Sequence, residues 1–333
     1  MLFVVFTIVA LALIFDFTNG FHDAANAIAT SVSTRALTPR RALLMAAVMN
    51  ILGAMLGTSV AHTIGSGIVS IDGGSGMPGL VVVLSGLIGA ITWNLITWWF
   101  GLPSSSSHAL IGGLAGAGLA AGIHVHWVTI IDKVVIPMIL SPLGGFIIAY
   151  IAMVLVLRAC ANLPYQRTMR HFRLLQTVSA AAMALGHGLQ DAQKTMGVIV
   201  IALAAGGLHD TSYAIPLWVK LAAAGAISLG TYTGGTRIMK TLGSKVIELD
   251  PAHGFVAETV SAGLLYIAAF GFGAPVSTTH TITAAIMGVG ATKRLSAVRW
   301  GVAGDIITAW VLTLPAAGAV AALMTWLFSA ILL

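Results

Sequence analysis

Charge is what this sequence has least of. Only 8% of its 333 residues are Asp, Glu, Lys or Arg, while 58% are hydrophobic. A soluble domain carries about 25% charge and does not repeat apolar runs of near 20 residues from end to end. Cysteine is nearly missing too, and the lone Cys160 excludes both an intramolecular disulfide and a multi-cysteine metal centre. The ten histidines include no His-Glu-x-x-His pattern, so no zinc-enzyme motif is present. The net charge of +6 comes from short scattered basic clusters, the pattern of cytoplasmic loops and not of a nucleic-acid surface. The first apolar run begins at Leu2, with no basic n-region and no small-residue cleavage site before the motif at Asp16–Asn26, so it reads as a transmembrane helix and not a cleaved signal. The chain is an all-α polytopic membrane protein.

Ten hydrophobic stretches can be marked. They fall at about 2–34, 41–62, 79–100, 107–124 and 134–157, then at about 174–206, 214–233, 254–272, 279–291 and 300–331. The second set repeats the first. Gly20-Phe21-His22-Asp23-Ala24 matches Gly188-Leu189-Gln190-Asp191-Ala192, a shift of 168 positions at the aspartate. Pro103-Ser104-Ser105-Ser106-Ser107-His108 matches Pro275-Val276-Ser277-Thr278-Thr279-His280, a shift of 172 at the histidine. Gly116 and Gly118 then pair with Gly288 and Gly290, and Pro142 with Pro315. Two halves follow, 1–157 and 174–333, joined by a basic connecting loop at 158–173.

Basic residues orient the halves. Arg35, Arg40 and Arg41 follow the first motif, whereas the equivalent loop carries only His209 and Asp210. The loop around Asp72 and the turn at His124–Trp127 lack Lys and Arg; their counterparts hold Arg237, Lys240 and Lys245, and Lys293, Arg294 and Arg299. Arg158, Arg167, Arg170 and Arg173 make the central loop basic. By the positive-inside rule, equivalent loops lie on opposite sides of the membrane. The expected architecture is an inverted-topology repeat of about 5+5 segments, with broken helices and hairpins at the midplane and both termini extracytoplasmic.

Within this apolar chain, Asn19–Asn26 concentrates polar groups. His22, Asp23 and Asn26 fall within one helical turn and can converge. An ionisable residue at membrane depth costs roughly 2.5–3.5 kcal/mol on insertion scales and marks transport, proton transfer or catalysis. In each hairpin a proline and a run of hydroxyls precede a Gly-rich helix. Such a start leaves backbone N–H groups unpaired and suited to an oxyanion, with Ser105, Ser106, Ser107, Ser277, Thr278 and Thr279 supplying hydroxyls. Carboxylates beside an anion need a cation between them: protons, Na⁺, a divalent metal or a lysine. Lys194, aligned with Asn26, can pair with Asp191 or contact the anion directly. His22 and His187 flank the aspartates and are of the type that titrates near neutral pH. His108 and His280 occupy equivalent places, with a structural role and proton carriage both open. Asp16, Glu258 and Asp305 are expected to be buried carboxylates serving as caps or polar interhelical contacts, and Thr30 and Ser31 are candidate extra ligands.

These motifs resemble the paired signatures and hairpins of the inorganic phosphate transporter (PiT) family, over nearly the whole chain. The resemblance implies phosphate symport with H⁺ or Na⁺, with Asp23 and Asp191 as signature aspartates and Asn26, Gln190 and the hairpin hydroxyls as ligands. The family's commonest motif has Asn before each aspartate and Asn three residues after it; here His22 and Gln190 precede, and Lys194 replaces the second following Asn. These forms look more like the bacterial low-affinity, proton-coupled members, which are associated with metal-phosphate substrates. Implied are a cell-membrane location, no cofactor, H⁺ as coupling ion, Na⁺ at Asp23, Asn26 and Asp191 as the alternative, and phosphate, lipid and a second copy in a homodimer as partners. With only 158–173 between the halves, no inserted cytoplasmic domain is expected. Competing readings are a sulfate permease of the same fold, an intramembrane hydrolase using Ser107 and His108 or His22 and Asp23, and a passive anion channel. Duplicated, symmetric motifs argue against the hydrolase, because catalysis needs one asymmetric constellation. Buried charges argue against the simple pore.

Overall fold

The computed structural model describes every residue except 72–73 and 210–213, and the side chains of Ser66 and Thr236. Asp72 and Asp210, used above to compare loop charges, therefore lie outside the described residues. The described chain is helical, with one isolated β-bridge between Val69 and Val125.

The first half contains α1 (Leu2–Ser33), α2 (Pro39–Ala54), α3 (Ser59–Gly67), α4 (Gly76–Phe100) and α5 (Ser106–Ala120). It ends in α6 (Trp127–Ile130), which runs through a π-helical turn into α7 (Ile136–Ala159). The second half contains α8 (Tyr165–Ala205), α9 (Leu217–Thr233), α10 (Thr236–Lys240), α11 (Pro251–Tyr266), α12 (Thr278–Ala291) and α13 (Trp300–Leu332). Among the described residues, five helical runs are long and apolar enough to cross a membrane: Leu2–Ser33, Gly76–Phe100, Trp127–Ala159, Pro251–Phe272 and Trp300–Leu332.

Three sequence expectations change. The stretch at 41–62 is not one segment, since α2 and α3 meet at an angle of 73°. The stretches at 107–124 and 279–291 become helices of 15 and 14 residues. At 1.5 Å per residue they reach about 21–23 Å, too short for a hydrocarbon core of about 30 Å. They fold back on α4 and α11 instead. The connecting loop at 158–173 shrinks to a turn, because α8 already begins at Tyr165 behind Pro164. Its 41 residues extend about 61 Å, so its first turns, with exposed Arg167, Arg170 and Arg173, outrun a bilayer.

Glycine makes both hairpins. Gly101 and Gly273, 172 positions apart, end the preceding helices at φ 66° and 57°, a left-handed conformation that only glycine adopts without strain. Leu102-Pro103 and Ala274-Pro275 then run extended into α5 and α12. The packing exchanges between halves: α5 lies on α13 and α12 on α7, while α1 lies on α9 and α8 on α2. Glycine permits the closest of these approaches. A Cβ on Gly20 would stand 2.3 Å from Ile227 O, and one on Gly188 2.3 Å from Asn50 O.

Candidate functional site

The two motif helices, α1 and α8, pack against each other and carry the buried Asp16, Asp23, Asp191 and Lys194. One ligand atom each from Asp23, His187 and Asp191 lies within 4.8 Å of the others, although the aspartates are 168 positions apart. All three residues are buried.

Both hairpins reach this point. Ser105 and Ser277 N-cap α5 and α12, their hydroxyls accepting from His108 N at 3.3 Å and His280 N at 3.1 Å. That fixes the next hydroxyls toward the aspartate. Ser106 Oγ donates to Asp23 Oδ2 at 3.2 Å, and Thr279 Oγ1 donates to Asp23 Oδ1 at 3.3 Å. Asn26 Nδ2 donates to Thr279 Oγ1 at 2.8 Å and to Thr278 Oγ1 at 3.3 Å. Ser107 Oγ and Asn26 Oδ1 are buried without a partner in the protein.

Each aspartate has its own counter-groups. His22 Nδ1 lies 2.7 Å from Asp23 Oδ1, and His22 Nε2 lies 3.1 Å from Thr97 Oγ1. Lys194 pairs with Asp191 one helical turn away, and His187 Nε2 stands 3.0 Å from Asp191 Oδ2. Lys194 is wholly buried and does not snorkel to a surface. The pairing expected for it is therefore present.

Gln190 is turned to the second hairpin: its amide donates to Leu265 O at 3.2 Å and Ala274 O at 3.4 Å, while Oε1 has no protein partner. Thr30 and Ser31 do not join the Asp23 cluster. Thr30 donates to Glu258, and Ser31 Oγ to Ile28 O at 3.0 Å. Glu258 is the expected polar interhelical contact, also bonded by Ser179 and by Gln176. Asp305 is exposed on α13 and not buried. Asp16 is no cap, since it sits in the middle of α1. His108 and His280 form an edge-to-face pair with centroids 4.8 Å apart, and His280 stacks on Trp310 at 3.9 Å.

Four positioning residues were not singled out from sequence. Ser104 Oγ donates to Thr97 Oγ1 at 2.8 Å, which supports the far side of His22. Asn50 holds His187 Nδ1 at 3.0 Å and donates to Thr231 Oγ1 at 2.8 Å. Gln193 Oε1 accepts from Val60 N and Ala61 N at 2.9 and 3.2 Å, capping α3. Ser104 stood inside a duplicated motif and Gln193 beside one, whereas Thr97 and Asn50 had no signal beyond polarity in an apolar run.

A bundle of membrane-length helices, with two short hairpin helices aiming their N-termini at buried carboxylates, has the organisation of a membrane transporter. Residues 19–321 match the model of the Phosphate transporter family, and the chain belongs to that family. It is 48% identical to a Rhizobium meliloti protein named "Probable low-affinity inorganic phosphate transporter", over 95% of this chain and 94% of that one. A Bacillus subtilis protein of the same name is 45% identical over 97% of both chains. Among solved structures, "The sodium-dependent phosphate transporter" superposes with a TM-score of 0.88 at 26% identity, covering 99% of this chain and 100% of that one.

Proposed function

We propose that the protein imports inorganic phosphate across the cell membrane by symport with H⁺, through alternating access. The observation that carries this reading is the meeting of two helix N-termini from opposite halves at Asp23, through Ser106 and Thr279. Backbone N–H groups and hydroxyls there suit a tetrahedral oxyanion. In this reading Ser105, Ser106, Ser107, Ser277, Thr278 and Thr279 bind phosphate, with Gln190 Oε1 available to a protonated phosphate oxygen. Asp23, Asp191, Asn26 and His22 carry the coupling. The exchanged packing of α5 with α13 and α12 with α7 supports two inverted halves about a pseudo-two-fold axis, and the basic loops argue for both termini extracytoplasmic.

The charges favour H⁺ over Na⁺. Asp191 is already paired by the Lys194 ammonium, and His187 offers nitrogen where Na⁺ takes oxygen. Phosphate also exchanges protons near neutral pH, which sulfate does not, so carboxylate acceptors fit phosphate better. A second reading has its own observation: the Asp23, His187 and Asp191 ligand atoms lie within 4.8 Å of one another, a donor set for a divalent cation arriving with phosphate.

Labelled-phosphate uptake into proteoliposomes tests both. Accumulation driven by a pH gradient alone, and indifferent to excess sulfate, is expected. Strict dependence on an Na⁺ gradient would refute proton coupling, and accumulation of sulfate itself would refute the cargo. Loss of uptake in chelator, restored by Mg²⁺ or Mn²⁺, would establish the metal-phosphate form.

A further inference from the structure

Asp16 is a wholly buried carboxylate that the site described above does not use, and among the described residues it is the buried acid with neither oxygen hydrogen-bonded. The other buried acids are all held: Asp23 by His22, Ser106 and Thr279, Asp191 by Lys194 and His187, Glu258 by Thr30, Ser179 and Gln176. A buried carboxylate without a counter-charge is costly unless it takes up a cation.

Its neighbours complete the picture. Thr195 and Asn19 stand close enough to act on the Asp16 carboxyl as hydrogen-bonding side chains, short of full hydrogen-bond geometry, and both are wholly buried. Asn19 Oδ1 and Nδ2 and Thr195 Oγ1 also lack partners in the protein. An amide and a hydroxyl each donate and accept, so together they can bond the carboxylate and the carboxylic acid alike. A site that must hold a proton and then release it needs that property.

Position ties the group to the transport site. Asp16, Asn19, Asp23, Asn26 and Thr30 recur at alternating steps of three and four along α1, and all are buried. They form one polar seam. Asp16 lies two turns, about 10 Å, from Asp23 along the helix. Thr195 follows Lys194 on α8, so both motif helices contribute to each station. The charges acting on Asp16 are Asp191 and Lys194, both on α8. Helix α4 carries no titratable side chain, and α9 brings only Lys220 and Tyr232, neither of which acts on Asp16.

We propose that Asp16, with Asn19 and Thr195, is a second coupling site that takes up the transported proton on the extracytoplasmic side of the Asp23–Asp191 cluster. The proton comes from outside water, converts the carboxylate to the neutral acid, and leaves to the cytoplasm as the cycle completes. The inference rests on the proton-symport reading and deepens it.

The test compares wild type, Asp16→Asn and Asp16→Glu in proteoliposomes by two readouts. One is labelled-phosphate exchange without any gradient; the other is accumulation under an imposed difference of one pH unit, worth about tenfold per coupled proton. Asn keeps the shape but cannot ionise. Exchange is expected to persist in Asp16→Asn while accumulation falls to equilibration, and Asp16→Glu is expected to restore accumulation. Wild-type accumulation in Asp16→Asn would overturn the proposal. So would loss of exchange in both variants, which would mark a purely structural residue. An accumulation that follows Na⁺ and not pH, and that Asp16→Asn abolishes, would overturn the proton as occupant. Failure of the phosphate reading is distinct, because the wild type itself would then show no phosphate exchange.

Discussion

Removing Lys194 tests whether a fixed ammonium is what keeps two aspartates tolerable at the centre of an apolar bundle. Lys194→Met keeps the length of the side chain and deletes its charge. Asp191 is 0% exposed, so the variant leaves a carboxylate in the interior with His187, 3.0 Å away, as its remaining counter-group. Breaking a buried ion pair by removing one partner costs about 3–5 kcal/mol. His187 remains within hydrogen-bond reach of the carboxylate, which puts the expectation near the lower end, about 3 kcal/mol. Replacing both partners removes the stranded charge, and an apolar or neutral substitute for a buried pair is often nearly neutral. Lys194→Met combined with Asp191→Asn is therefore expected to regain most of the loss, to within about 1 kcal/mol of wild type, far less than the sum of the two single variants, because Asp191→Asn alone strands the buried ammonium. Unfolding of the purified variants in detergent reads it directly. A single variant as stable as wild type, or a double variant that loses the sum of its parts, would refute the pairing as a source of stability.

Alanine at Gly20 or Gly188 would place a Cβ 2.3 Å from a backbone oxygen, so each is expected to lower stability by about 1–3 kcal/mol in thermal unfolding; Gly225→Ala, with open space around its Cβ, is expected to be neutral or stabilising. Ser106→Ala and Thr279→Ala each remove a hydroxyl beside the proposed anion position, and at about 1.5–3 kcal/mol for a hydrogen bond to a charged group, phosphate KM is expected to rise by roughly tenfold or more in uptake assays. Asp250 caps α11, accepting from Ala252 N and His253 N, both at 3.1 Å. Burial raises its pKa, but the hydrogen bond and charge of His253, with help from Lys293, outweigh this and bring it down to about 2. A depressed folded-state value means the stabilisation is complete above the ordinary value of 3.8 and is lost as pH falls toward about 2. Thermal unfolding is thus expected to weaken more steeply between pH 4 and pH 2 in wild type than in Asp250→Asn.

The duplicated motifs were legible because the residues that meet at the site, Asp23, Asp191 and the hairpin hydroxyls, are polar in an apolar background and occur twice. Their supports were harder to read. The bend between α2 and α3 is stabilised by Gln193, more than 130 positions away, whose amide oxygen receives the N–H groups of Val60 and Ala61. Within 41–62 itself, hydrophobicity runs on across the break. The start of α8 was hidden by the opposite effect: Arg167, Arg170 and Arg173 suggest a loop, yet they lie on the exposed face of a helix whose Thr168 and Phe172 are buried. Asp305 shows the limit of position along the chain, since an apolar helix does not announce which face meets its neighbours. For Asp16 the signal was present as a spacing: 16, 19, 23, 26 and 30 trace one helical stripe, which placed Asp16 in a seam and not at a cap.

The two halves repeat in their sequence motifs but not in charge, and the difference at Asn26 and Lys194 bears on the proposed coupling. Asp23 and Asp191 bring two negative charges to one point, and Lys194 neutralises one permanently. On the symport reading, a monovalent phosphate then leaves two charges to be balanced on loading, with His22 and His187 each standing against one aspartate. With asparagine at both positions, as in the commonest motif of the family, the fixed cation would be gone and one more mobile cation would be needed. Lys194→Asn should therefore shift the demand toward Na⁺: phosphate uptake under a pH gradient is expected to fall, and an added Na⁺ gradient to restore part of it. The single-residue change replaces the ammonium by a shorter amide, whose oxygen is the ligand type Na⁺ takes. Uptake that stays indifferent to Na⁺ in this variant, with phosphate exchange intact, would mean that Lys194 does not stand in for a mobile cation and that charge balance is met elsewhere along the seam.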